Sequence, residues 1–128
     1  MSVPTVHETE VREHDLPGRR LSWVVGDGGL TANHCSSCVI RVAPGEKVRP
    51  AHCHPHGEEV IYIIQGSGRV LVAGEVSPVR AGSVVLFPQG AVHMLHNTVT
   101  EEMKVVCFFA PGTKLDNYKF FDEIDFPD

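Results

Sequence analysis

Residues 51–66 read AHCHPHGEEVIYIIQG, a stretch in which three histidines at alternate positions precede two glutamates and an apolar run. Side chains alternate across a β-strand, so His52 and His54 point the same way if this segment is extended. Pro55 argues against a helix at this point. The stretch therefore predicts a strand that offers two imidazoles to one point, then a turn, then a second strand with an apolar character.

The rest of the chain repeats this alternation of short strands and turns. Turn-forming sequences recur every several residues, and the segments between them are rich in β-branched residues, among them LSWVV, CVIRV, VIYII, RVLV, SVVLF and KVVCFF. Short strands separated by frequent turns are typical of an all-β sandwich or barrel. With 128 residues, of which 42% are hydrophobic, the chain can bury a core as one domain.

Further ligands for an ion are expected on two later strands. Glu59 opens the strand after the histidines, and a Pro-x-Gly turn in PQGAVHMLHN (88–97) delivers His93 to the start of another strand. Three imidazoles and one carboxylate suit Fe, Mn, Ni, Co, Cu or Zn and are too rich in nitrogen for calcium or magnesium. We therefore expect one divalent transition metal ion, bound by His52, His54, Glu59 and His93, with one or two coordination positions left open.

Two motifs in this region resemble those of the cupin superfamily. The first is Gly45…His52-x-His54-x4-Glu59-x6-Gly66, with one residue more than usual between its glycine and first histidine. The second, which matches at every stated position, is Gly82-x5-Pro88-x-Gly90-x2-His93-x3-Asn97. The resemblance implies a small antiparallel β-barrel of the jelly-roll type, in a single-domain member with one motif pair. It also implies that the two motifs together supply four ligands to one divalent metal inside the barrel.

Glu58 is the rival of Glu59 for the carboxylate position. The two residues are adjacent, so their side chains should face opposite sides of the strand. Glu59 keeps the six-residue spacing to Gly66 that the first motif requires, and Glu58 does not. We therefore expect Glu59 to face inward and Glu58 to face outward.

Three other polar residues near the motifs have more open roles. His56 lies in the loop past the first two histidines, where it is either an exposed loop residue or a base beside the metal. His96 follows His93 by three residues and should point away from it, toward the surface or an interface. Asn97 shares the parity of His93, and we expect structural hydrogen bonds from its side chain.

The two ends of the chain differ from the middle. The N-terminal segment is charged and should begin as a loose arm, whereas the C-terminal segment mixes acidic and aromatic residues. Asp116 could cap a short helix with an apolar stripe at Phe120 and Ile124. The tail either docks on the body or on a neighbour, or it forms a lid over the binding site. The expected segments are an arm (1–20), a barrel domain (21–112) and a tail (113–128).

Composition excludes several classes of partner. The net charge is −5 and no basic run occurs, so the electrostatic footprint of a nucleic-acid-binding protein is absent. No apolar stretch approaches the ~20 residues needed to cross a bilayer. The acidic, polar start lacks the apolar core of a signal peptide, which predicts a cytoplasmic protein. The four cysteines, Cys35, Cys38, Cys53 and Cys107, are then expected to be free thiols.

Self-association is expected from the apolar strands. VIYII and KVVCFF are apolar on both faces, yet a single small barrel has only one interior. A second copy of the chain is the expected cover, which predicts a homodimer. The terminal segments are the alternative cover.

The function expected from these features is that of a metal-dependent enzyme. A metal ion in an apolar barrel can polarise a carbonyl or carboxylate, or activate dioxygen or water, and the barrel holds one small molecule. Dioxygenase-type chemistry on a small oxygenated molecule is the preferred hypothesis. The alternatives are a non-redox isomerase or lyase acting on a sugar-derived acid, with His56 or a tyrosine as the base, and a non-catalytic module that binds or senses a small ligand. Fold alone does not choose among them.

Overall fold

The structure is a computed structural model that describes residues 2–128. Within these residues, short strands connected by turns make up most of the ordered elements. Eleven strands are present: β1 Glu13–Leu16, β2 Arg19–Val25, β3 Ser36–Val42, β4 Ala51–Cys53, β5 Glu58–Gln65, β6 Ser67–Val72, β7 Glu75–Arg80, β8 Val84–Phe87, β9 His93–Asn97, β10 Met103–Ala110 and β11 Lys119–Phe121.

The strands form two antiparallel sheets. One sheet has six strands in the order β1-β2-β3-β10-β5-β8, and the other has five in the order β11-β4-β9-β6-β7. Neighbours in space are often distant in sequence; β10, for example, pairs with both β3 and β5. This arrangement confirms the all-β, jelly-roll prediction.

The core lies between the inner faces of the two sheets and follows the two-residue period of the strands. On β10, Met103, Val105, Cys107 and Phe109 are buried, and the residues between them are not. The Phe109 ring packs against Trp23 of β2 at 5.5 Å between centroids. Burial of such side chains is worth about 1.5–3 kcal/mol each, which is why the alternation sets the strand register.

The N-terminal segment contributes one strand and several ion pairs. β1 pairs with β2 at the edge of the six-stranded sheet. Ahead of it, Glu8 contacts Lys104 of β10 at 2.7 Å and Arg41 of β3 at 3.3 Å. The boundaries of the arm, the barrel and the tail remain predictions, but both terminal segments supply a strand to a sheet.

The C-terminal segment does not form the helix expected after Asp116. A single 3-10 turn covers Leu115–Asn117, preceded by Lys114, and β11 follows it and pairs with β4. The prediction of a capped helix is therefore wrong. The edge of β4 offers unpaired backbone groups, and an added strand satisfies them over more residues than one isolated helical turn could. Farther along, Phe126 is buried against Ala51, Leu71 and Met94, so this end of the chain docks on the body.

The outer face of the six-stranded sheet carries an apolar patch. Tyr62 pairs with Val84, and Val60 lies between Leu86 and Phe108, across three neighbouring strands. Of these, Tyr62, Val84, Leu86 and Phe108 are exposed by 45–63%, and Ile64 on the same face of β5 is exposed by 43%.

None of the helices in residues 2–128 has the length and apolarity that a membrane crossing needs.

Candidate metal centre

The four residues expected to bind a metal come from both sheets. β4 and β9 are neighbours, and His52 lies directly opposite His93 in their register. His54 follows one residue after the end of β4. Glu59 reaches the same point from β5, in the opposite sheet. The cluster therefore sits in the barrel interior, between the sheets.

Gly90 aligns the two loops that present the histidines. Its φ is +77°, a conformation that residues with a side chain seldom adopt. Its backbone N–H donates to the His54 carbonyl at 3.1 Å. The turn before His93 is thereby joined to the end of the strand that carries His52 and His54.

The cluster is compact and buried. One potential ligand atom from each of His52, His54, Glu59 and His93 lies within 4.8 Å of all the others. Each residue is only 3–5% exposed. Nε2 of His54 donates to Oε1 of Glu59 at 2.8 Å, and Nε2 of His93 is 3.2 Å from the same oxygen but too poorly aligned for a hydrogen bond.

The surroundings set the charge of the cluster. Burial alone would raise the pKa of the Glu59 carboxyl, but the hydrogen bond from His54 and the adjacent His93 imidazole hold it well below its usual range. Burial, with a smaller contribution from His93, holds the pKa of His52 well below its usual value. An ionised carboxylate and a neutral imidazole are the states that ligate a metal ion.

Hydrogen bonds to the backbone orient two of the imidazoles. Nδ1 of His52 donates to the Pro50 carbonyl at 3.2 Å, and Nδ1 of His93 donates to the Ala91 carbonyl at 3.1 Å. Metal-bound histidines usually have their second nitrogen held in this way. The arrangement leaves Nε2 of both rings free to face the cluster.

Two buried nitrogens in the cluster lack a partner. Within residues 2–128, neither Nδ1 of His54 nor Nε2 of His93 has a hydrogen-bond partner. A buried nitrogen left unsatisfied costs about 1–3 kcal/mol, and a metal–ligand bond to Nε2 of His93 would remove this cost there. With three nitrogens and one oxygen converging on one point, the group could bind a divalent transition metal ion.

Aromatic rings enclose the cluster. Phe87 stacks on His93 at 3.8 Å between centroids, and Phe109 meets His54 edge-on at 5.1 Å. Tyr118 stacks on His52 at 4.9 Å, with 13° between the ring planes, and meets His54 edge-on at 4.4 Å. The rings limit access of water to the imidazoles.

Two residues of the site were missed by sequence reasoning, Arg19 and Tyr118. Both line the cavity next to the cluster, whose free volume is about 30 Å³, together with apolar side chains such as Leu21 and Ile61. Arg19 has the parity of Leu21 and Trp23 on β2, so its inward direction was available from the pattern RRLSWVV. Nothing near Tyr118 in the sequence indicates that β11, the strand that follows it, pairs with β4.

The neighbouring glutamate and loop histidine lie outside the cluster. Glu58 is exposed, whereas Glu59 is buried, as strand parity predicts. His56 is exposed in the turn after β4 and lines a second depression, which His54 and Phe109 also line, and not the cavity that Arg19 and Tyr118 line. A catalytic role for His56 remains a prediction without structural support.

The remaining sequence expectations concern structure. Asn97 is fully buried, and its Nδ2 donates to the carbonyls of Val42 at 2.9 Å and Glu101 at 2.8 Å, as expected of a structural residue. His96 is half-buried on the other face of β9, where its Nδ1 accepts from Arg69 at 3.0 Å. All four cysteines are free thiols, as predicted.

Two relatives are similar to this chain in sequence. Polyketide synthase CurC of Streptomyces cyaneus is 31% identical over 83 residues, which are 65% of this chain and 52% of that protein. L-ectoine synthase of Halomonas elongata is 33% identical over 89 residues, 67% of this chain and 58% of that protein. The chain thus spans a little over half the length of both relatives.

A solved structure shares the fold over almost the whole chain. Streptomyces Pac13, a nucleoside dehydratase, superposes with a TM-score of 0.77 over 94% of this chain and 92% of its own, at 15% sequence identity. At that identity the likeness shows the fold alone. The family model for the cupin domain (Cupin_2) matches residues 38–109, more than half of the chain and all four residues of the cluster. The chain therefore belongs to the cupin family.

Proposed function

We propose that this protein is a metal-dependent enzyme that acts on a small oxygenated organic molecule inside the barrel. The observation that carries the proposal is the convergence of four buried ligand atoms, within 4.8 Å of one another, beside a cavity lined mainly by apolar side chains. A bound divalent ion would act there as a Lewis acid toward a substrate oxygen. His52, His54, Glu59 and His93 are the proposed ligands.

The rest of the chain contributes enclosure and polar contacts. Phe87, Phe109 and Tyr118 cover the imidazoles and exclude water, which strengthens electrostatic interactions in the cavity. Beyond His52, Glu59 and His93, the lining contains the Tyr118 hydroxyphenyl ring, the Arg19 guanidinium and the thiols of Cys38 and Cys107. Because the free volume is about 30 Å³, any substrate of more than a few heavy atoms requires movement of side chains that line the cavity.

The names of the similar proteins suggest non-redox chemistry. One relative in sequence is an ectoine synthase, Pac13, which shares the fold alone, is a nucleoside dehydratase, and none of the three names describes an oxygenase. We therefore place elimination or cyclisation at a metal-polarised oxygen first, in the class of the isomerase or lyase hypothesis. Dioxygenase-type chemistry is the second candidate, because a donor set of three imidazoles and one carboxylate also suits redox-active iron.

The homodimer is part of this proposal. The exposed patch of Tyr62, Ile64, Val84, Leu86 and Phe108 extends over three strands of one sheet, and contiguous apolar surface of this kind is typical of an interface. A second copy presenting the same patch would cover it with two-fold symmetry.

Mass spectrometry of reaction mixtures tests the proposed function. The protein as purified would be incubated in air with a panel of small hydroxy acids, sugar acids and phenolic compounds, with a metal-stripped sample as control. A product lighter by one water, formed only with metal, supports elimination; a product heavier by two oxygen atoms supports dioxygenation. Conversion that is equal with and without metal would contradict a metal-dependent reaction.

A further inference from the structure

Arg19 carries a charge in the barrel interior without an anionic partner. It begins β2 and shares its inward face with Leu21 and Trp23, and only 6% of its surface is exposed. Within residues 2–128, no carboxylate lies within ion-pair distance of its guanidinium. A buried cation is costly unless it is paired, so its position calls for an explanation.

The protein uses only one of the guanidinium nitrogens. Nη1 donates to the carbonyls of Pro17 and Arg49, both at 3.1 Å, which occupies its two hydrogens and fixes the plane of the group. Nε and Nη2 have no acceptor among the described residues. Their hydrogens form the parallel fork that binds a carboxylate through both of its oxygens.

Arg19 lines two depressions, and one of them is the cavity of the candidate metal centre. Arg19, His52, Glu59, His93 and Tyr118 all line it. A ligand that fills that cavity can therefore contact the guanidinium together with His52, Glu59 and His93, three of the four proposed metal ligands.

We propose that Arg19 is a specificity-determining residue that binds a carboxylate of the substrate through Nε and Nη2. This inference deepens the proposed function and rests on it, because it narrows the small oxygenated substrate to a carboxylic acid. The acid group binds at Arg19, and another oxygen of the same molecule faces the metal centre.

Binding of matched ligand pairs tests the inference on the full-length protein as purified. The pairs are glycolate, 3-hydroxypropanoate and 4-hydroxybutanoate, each with its own amide, which keeps the shape and the hydroxyl oxygen but removes the only negative charge. Three chain lengths are used so that one can span the cavity. Affinities would be measured by calorimetric titration of the wild type and of Arg19→Met. Arg20→Met is the matched control, because Arg20 is the next residue and faces solvent.

The inference predicts that at least one hydroxy acid binds the wild type about tenfold or more tightly than its amide, the gain typical of a charge-assisted hydrogen-bonded pair. Arg19→Met should reduce that ratio to about one to two, and Arg20→Met should leave it unchanged. An equal ratio in the wild type and in Arg19→Met, or no preference for any of the three acids over its amide, overturns the inference.

Two further variants keep the outcomes separate. If Arg19→Met does not fold, as circular dichroism would show, Arg19→Lys replaces it. Lysine keeps the charge but lacks the fork, so the ratio should still fall several-fold, and an unchanged ratio contradicts the inference.

His93→Ala tests the proposed function independently. If this variant keeps full metal content, the metal centre is wrong, whereas the Arg19 ratios still decide the carboxylate site.

Discussion

Substitution of Glu59 by glutamine removes the only carboxylate that lines the cavity within residues 2–128, while the shape of the side chain is retained. Glu59 is 4% exposed and its Oε1 accepts from His54 at 2.8 Å. If the carboxylate is a metal ligand, Glu59→Gln replaces an anionic donor with a neutral amide. Glu58→Gln is the matched control, since Glu58 is the adjacent residue and faces solvent.

The size of the effect follows from the charge and its burial. At 4 Å and an effective dielectric constant of about 20, a divalent ion and a carboxylate attract by roughly 8 kcal/mol, and desolvation of both offsets most of this. Loss of a residue that only orients a ligand already weakens metal binding about 10–100-fold, so loss of the ligand should cost at least about 100-fold, or roughly 2.7 kcal/mol.

Competition with a chromophoric zinc chelator measures both variants directly. Glu59→Gln should lower zinc affinity by at least about 100-fold, and Glu58→Gln should change it by less than about twofold. Circular dichroism would verify that both variants are folded. Equal effects of the two substitutions, or a larger effect of Glu58→Gln, would refute the assignment and place the strand register one residue away.

Three further predictions concern stability and assembly. Asn97→Ala should lower the free energy of unfolding by about 1–3 kcal/mol in urea titrations, because the buried Val42 carbonyl and the part-buried Glu101 carbonyl lose the amide that donates to them. Glu8→Gln should lower stability by up to about 1 kcal/mol at neutral pH, because the hydrogen bond from Lys104 lowers the pKa of Glu8. Because the pKa of Glu8 is lowered in the folded state, its carboxylate stabilises the fold at pH values above the ordinary pKa of 4.5. This stabilisation is lost as the pH falls through the pKa of the folded state. The thermal unfolding temperatures of the wild type and the variant should therefore converge in acid. Light scattering of the wild type should give twice the 14.0 kDa chain mass. Phe108→Lys should reduce the mass to that of one chain, whereas Val3→Lys, which alters an exposed apolar residue outside the patch, should not. A monomeric wild type would contradict the homodimer.

The part of the site on local motifs could be predicted from the sequence. The alternation of β5 places Glu59, Ile61 and Ile63 inward and Glu58 outward, and the structure has the same order. His52 and His54 share a face for the same reason, since two-residue periodicity needs no tertiary information. The spacing of the two motifs then added His93 to the predicted metal ligands.

Features that depend on long-range pairing could not be predicted. Tyr118 reaches His52 only because β11 pairs with β4, more than sixty residues earlier in the chain, and the local sequence suggested a helix instead. Arg19 could have been assigned to the interior from its parity with Leu21 and Trp23. An arginine is so rarely buried that composition argued against this assignment, although strand periodicity supported it.

Elemental analysis of the purified protein, combined with a zinc titration of the metal-stripped form, tests the central claim most directly. The four-residue cluster predicts close to one divalent transition metal ion per chain, and a strong loss of occupancy in His93→Ala with the barrel still folded by circular dichroism. Full metal content in His93→Ala, or a wild type that neither carries nor takes up a transition metal ion, would contradict the account.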